Sequence, residues 1–254
     1  MRMLTDVGAA LLVAFCAGTF DSPAFAGPPA DPRGKLIHRT VDAATGAVIR
    51  LYQRTTADLT LEIERHDLLF TKRFGVPSSE ITIAAGKDRI AFVVAPMMLT
   101  VSSPSGTMRM TPATAEAIKP RLEALIRSSP AYHAGVALLK RVTVSDRTPL
   151  NLLILPARAF LEGAVGDTSA RVAMREWARR VNVAPRIVRI GFQKTPGDCW
   201  ELYSQEAIEA WMELEDCLDS APWPGWPYST ACWGIYNIRA VGAAAWWAKC
   251  VSIS

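Results

Sequence analysis

The sequence predicts an α+β protein. An N-terminal antiparallel β-meander is expected to pack against a helical C-terminal half that ends in a disulfide-stapled antiparallel helical hairpin. Three observations predict this. Apolar residues recur at every second position between Lys35 and Met110, and at helical spacing after Thr111. Four cysteines, Cys199, Cys217, Cys232 and Cys250, then follow at intervals of 18, 15 and 18.

Residues 1–26 read as a secretory signal. Arg2 gives a thin positive start, Val7 to Phe15 an apolar run, and Ala24-Phe25-Ala26 a small-x-small cleavage site. The run is too short to span a bilayer, and no later segment is long and apolar enough to do so. The segment holds one basic and two acidic residues of the 28 and 24 in the chain, leaving 27 against 22. That excess is mild and scattered, so it favours solubility and gives no case for nucleic acid. The fifth cysteine, Cys16, leaves with the signal. An even number then remains in an exported chain, and that implies disulfides. The expected location is the periplasm or the extracellular medium.

Residues 27–111 form the β-rich region. "GPPADPRG" (27–34) lacks periodicity and reads as a flexible leader. In "DLTLEIERH", Leu59, Leu61 and Ile63 face one way, while Thr60, Glu62, Glu64 and His66 face the other. Further strands are expected at 36–41, 47–53, 68–74, 80–84, 89–95, 97–102 and 108–110. Short turn-forming separators such as "DAATG" and "AGKD" favour a meander.

Residues 112–197 form a helical region with one short strand. Thr111-Pro112 is an N-cap and N1 pair opening a helix to Arg127, and Ser129-Pro130 opens a second to Lys140. A third is expected within 150–163 and a fourth over 168–181, with "RIVRIGF" (186–192) as a strand.

Residues 198–254 form the hairpin. Eighteen residues make five helical turns, so each pair of cysteines at that interval shares one helix face. The Pro-rich stretch "LDSAPWPGWPYST" separates the two helices and no helix could cross it. Antiparallel packing then pairs Cys199 with Cys250 and Cys217 with Cys232. Two cysteines 18 apart on one helix would be about 27 Å apart at 1.5 Å per residue, beyond disulfide reach. In this register Arg239 lies between Glu206 and Glu213 as a buried or half-buried cluster. Trp200, Trp211, Leu218 and Trp233 share the side that docks on the body, and Glu209 and Asp216 look outward.

Sites for chemistry are sparse. The cysteine spacing lacks the close pairs of a zinc site, so no metal or other cofactor is expected. P-loop, GxGxxG, GxSxG and HExxH patterns are absent from the sequence. Glu62, Glu64 and His66 are the best acid/base group, which would serve an envelope-acting hydrolase, although a solvated strand face has the same composition. His38 and His133 stand alone. Arg171, Arg175 and Arg179 form a helical stripe that could meet phosphate or an acidic sugar, but that better fits a solvated helix face or pairing with a Glu-rich helix. "PWPGWPY" (222–228) is the strongest binding candidate. There, prolines stiffen a loop bearing Trp223, Trp226 and Tyr228, suited to an envelope protein, a glycan or a membrane surface. The expected function is therefore non-enzymatic binding or scaffolding by an exported protein, with the hydrolase as its alternative.

Overall fold

The computed structural model describes residues 31–55, 58–75, 78–95, 98–142, 150–181 and 196–220, with Cys232, Trp233, Tyr236, Arg239, Ala240, Gly242 and Ala243. The expected signal (1–26), the expected strand "RIVRIGF" (186–192), Cys250 and Trp223, Trp226 and Tyr228 lie outside these residues, as do the side chains of Cys199, Trp200 and Arg179.

Eight strands form one sheet: β1 (Lys35–Val41), β2 (Val48–Thr55), β3 (Asp58–Arg65), β4 (Leu68–Phe74), β5 (Ser79–Ala85), β6 (Asp88–Ala95), β7 (Met98–Ser103) and β8 (Gly106–Met110). Each strand pairs antiparallel with its sequence neighbours, giving the order β1 to β8. Two-residue turns place His66 and Gly86 in the left-handed region, at φ 54 and 57. Such turns match the twist of the strands they join. His66 therefore sits on the turn after β3, where alternation alone had put it on the strand.

Register sorts the side chains into cross-strand rows. Ile49, Ile63, Phe70, Ile83 and Ile90 form one row, and Leu51, Leu61, Lys72, Ile81 and Phe92 the next, all on the buried face. Lys72 is the exception in chemistry. It is 2 % exposed, and its ammonium lies 4.5 Å from the centre of the Phe74 ring. Among the described residues it has neither a hydrogen bond nor an ion pair. Burial alone draws its pKa down to about 7.

The helical half follows: a 3-10 turn at Pro112–Thr114, then α1 (Ala115–Arg127), α2 (Pro130–Arg141), α3 (Asn151–Gly163), α4 (Ser169–Val181) and α5 (Pro196–Ser220). Helix α2 lies across β4 to β6. Its start is tied down by Asp88 of β6, which accepts hydrogen bonds from Ser129 Oγ at 2.9 Å and the Ala131 amide at 2.8 Å. The Ala131 amide, more than any other neighbour, holds the Asp88 carboxyl below its usual range. Gly135 allows the close approach, since a Cβ there would lie 2.7 Å from the Ile83 side chain.

Glu162, 1 % exposed, joins α2, α3 and α4. It accepts from Arg158 Nε at 2.9 Å, Ser169 Oγ at 3.2 Å and the Ala170 amide at 2.9 Å, and pairs with Lys140 at 3.1 Å. The turn "AVGDTSA" thus opens α4 on a buried carboxylate, which offsets the positive end of the helix.

Among the described residues, the Cys217–Cys232 bridge and the Arg239 cation join the two segments of the C-terminal hairpin. Cys217 and Cys232 form a disulfide with their Cα atoms 5.7 Å apart. Arg239 reaches Glu206 at 3.6 Å and Glu209 at 3.7 Å, and pairs closely with Glu213. Cys232 opposite Cys217, with Arg239 opposite 206–213, means the two segments run antiparallel. The carboxylates are more exposed than the sequence register implied: Glu206, Glu209 and Glu213 stand in solvent and only Arg239 is partly covered. Glu209 joins the cluster instead of facing away from it. The second bridge, Cys199–Cys250, falls outside the described residues.

Edge-to-face rings carry the contact from sheet to hairpin. Phe92 meets Phe160 at 6.1 Å, Phe160 meets Trp233 at 5.6 Å, and Trp211 meets Tyr236 at 6.1 Å. These geometries favour aromatic pairs beyond the area they bury. Arg171 and Arg175 of α4 pair with Glu215 and Asp219 of α5, so the arginine stripe serves helix pairing.

Candidate functional site

The opposite sheet face is polar, and its rows follow from the same register. Tyr52, Thr60, Arg73 and Glu80 form one row; Arg50, Glu62, Thr71 and Thr82 the second; Glu64, Leu69, Ala84 and Arg89 the third. All the sequence-derived acid/base candidates belong to this region.

The leader crosses this face, which corrects its reading as a flexible start for residues 31–34. Arg33 donates to both Glu62 oxygens at 3.2 and 3.1 Å, and its guanidinium lies 4.6 Å above the Tyr52 ring. Asp31 braces Arg33, accepting from its Nη2 at 2.7 Å, and those hydrogen bonds hold the Asp31 carboxyl down to about 2. Burial raises the Tyr52 hydroxyl above its usual range, with Glu62 adding to the effect. Under this cover Glu62 is only 5 % exposed, although alternation placed it on a solvated face.

Gly34 makes the crossing possible. It sits at φ +96, and a Cβ would lie 2.5 Å from the Gln53 carbonyl oxygen. Backbone cannot yield as a flexible side chain would. Gly34→Ala should therefore lift residues 31–34 from the sheet at a cost of about 1–3 kcal/mol. Hydrogen exchange on β2 and β3 checks this: unchanged protection around Tyr52 and Glu62 would refute the account.

The three acid/base candidates are not brought together as a catalytic group. Arg50 binds Glu64 at 2.5 Å and approaches Glu62 at 4.0 Å, so guanidinium groups hold both carboxylates. His66 is exposed on its turn, with no hydrogen bond to either among the described residues. A general base must reach a substrate proton, and here the carboxylate oxygens already face cations. Of the other histidines, His133 Nε2 lies 2.7 Å from the Arg127 carbonyl, and burial lowers the pKa of the His38 ring. Among the described residues no group of three or more His, Cys, Asp or Glu could hold a metal ion.

Beside the leader runs a groove of about 430 Å³. Arg33 and Arg54 line one end and Arg89 the other, with Thr60, Thr71 and Thr82 between them. A smaller hollow of about 240 Å³ adjoins it and shares Asp58, Arg73 and Glu80. Arg73 is committed to Asp58 at 2.7 Å, and Thr82 donates to Glu80 at 2.9 Å. The sequence pattern marks the polar face, but not these arginines, which come together only through the pairing of five strands, β2 to β6. No family model, curated protein or solved structure matches the chain. Among the described residues no helix is long and apolar enough to cross a membrane.

Proposed function

We propose that the chain is an exported, non-enzymatic binding or scaffolding protein of the cell envelope or extracellular space, acting through its C-terminal hairpin. The observation that carries this reading is the Cys217–Cys232 bridge. It joins Cys217 and Cys232, which flank the segment bearing Trp223, Trp226 and Tyr228 in the sequence, and Cys232 is followed by the buried Trp233. A loop whose ends are clamped to a packed base loses less freedom on binding, which favours affinity. A disulfide also fits an oxidising compartment, in line with the signal-like start. The hydrolase alternative draws no support from Glu62 and Glu64, which arginines engage.

The test compares wild type with Trp223→Ala/Trp226→Ala in a pull-down from envelope extract, alongside thermal melts. The double variant should lose its captured partner while its melting temperature stays nearly constant. A large drop in melting temperature would assign the two tryptophans to the core and remove the basis of the proposal.

A further inference from the structure

We infer that the groove on the polar sheet face binds an acidic oligosaccharide, with Arg54 and Arg89 holding carboxylates and the hydroxyls of Thr60, Thr71 and Thr82 holding sugar hydroxyls. This inference is independent of the aromatic loop. Two observations carry it.

The first is the distribution of charge. Two of the four arginines lining the groove are already matched, Arg33 by Asp31 and Glu62, and Arg73 by Asp58. Arg54 and Arg89 differ. Among the described residues neither forms an ion pair or a side-chain hydrogen bond, and both are exposed. They stand on β2 and β6, four strand spacings apart, or about 19 Å at 4.8 Å per strand. A compact anion cannot reach both, so the ligand must be extended, with acidic groups set apart along it. Guanidinium forks suit planar carboxylates.

The second is Thr60. It is 7 % exposed and lines the groove, yet its hydroxyl has no hydrogen-bond partner among the described residues. A buried hydroxyl left unpaired costs free energy that a ligand can recover. Thr71 and Thr82 continue the polar floor, and Glu80 adds an acceptor. A polyanion alone would be repelled by Glu80, whereas sugar hydroxyls can donate to it.

An extended acidic peptide fits less well. The backbone groups of β3 to β6 are consumed by their own ladders, leaving a peptide main chain nothing to pair with. Single-stranded nucleic acid also fits less well, because among the described residues no aromatic side chain lines the groove for unpaired bases to stack on. A groove of about 430 Å³ takes roughly two or three sugar rings, within the usual range for small-ligand sites.

The experiment is an NMR titration of the full chain with trigalacturonate, maltotriose, citrate and tetraglutamate. Trigalacturonate should shift the amides around Thr60, Thr71 and Thr82, and maltotriose should bind at least tenfold more weakly. Arg54→Ser/Arg89→Ser should weaken trigalacturonate at least tenfold, and Thr60→Val severalfold. Arg109→Ser removes a cation from β8 of the same sheet and should leave affinity unchanged. Citrate or tetraglutamate binding as tightly as trigalacturonate would reduce the site to a charge patch or a peptide groove. Absence of trigalacturonate binding at millimolar concentration, or equal loss in Arg109→Ser, would overturn the inference.

Discussion

Lys72→Met should stabilise the protein by about 3–5 kcal/mol near neutral pH, because it removes a buried cation and keeps an unbranched apolar stem in its place. Lys72 titrates near 7 in the folded chain, against 10.5 for the free side chain. Below pH 7 both folded and unfolded states carry the proton, and the folded state bears the full cost of burying charge. Between pH 7 and 10.5 the unfolded state binds more protons, so wild-type stability rises with pH. Above 10.5 the amine is neutral in both states and the cost is gone. The gap corresponds to roughly 4–5 kcal/mol at 1.36 kcal/mol per pH unit. The contact with Phe74 returns a part of it. Urea melts at pH 6.5 and 10.5 decide the matter. The variant should be far more stable at the lower pH, nearly equal at the higher, and should lose the wild-type alkaline rise. A variant no more stable than wild type at pH 6.5 would show that Lys72 is solvated or paired.

Glu162→Ala should cost about 3–5 kcal/mol, the usual penalty for removing one partner of a buried ionic cluster. The loss is large because the carboxylate serves groups from three helices. It leaves the buried Ala170 amide unpaired at the start of α4, and strips Arg158, 16 % exposed in its side chain, of its carboxylate. Lys140 can turn to solvent instead, so Lys140→Ala should cost no more than about 1 kcal/mol. Glu162→Gln keeps an acceptor for the Ala170 amide and should fall between these values. Chemical denaturation of the three variants tests the order. A Glu162→Ala loss under about 1 kcal/mol would mean that water replaces the carboxylate, contrary to its burial.

The strands and helices were largely legible in the sequence because their signals are local. Alternation marked all eight strands to within a residue or two, and Thr111-Pro112 and Ser129-Pro130 marked two helix starts. The five-turn cysteine interval anticipated the Cys217–Cys232 bridge and the contacts of Arg239 with Glu206 and Glu213. What could not be read depends on distant partners. Alternation does group Lys72 with Phe70 and Phe74, but residue type argues against burial, and only the covering layer decides. Glu62 is sequestered by Arg33 from 29 positions away, and nothing in "GPPADPRG" announces that contact. The groove has the same origin, since Arg54 and Arg89 become neighbours of one hollow only through the ladders between them.

The meander also sets an order of events. Each ladder joins consecutive strands, so the sheet has low contact order and can zip up hairpin by hairpin as the chain emerges. Its cover comes later, from residues beyond 111. An emerging chain that pauses there would hold a finished sheet with one oily face and two open edges, a species prone to self-association. The helical half then acts in time as well as in space. Whatever delays its docking, from slow synthesis to mispaired cysteines near the C-terminus, lengthens the interval in which the sheet stands uncovered.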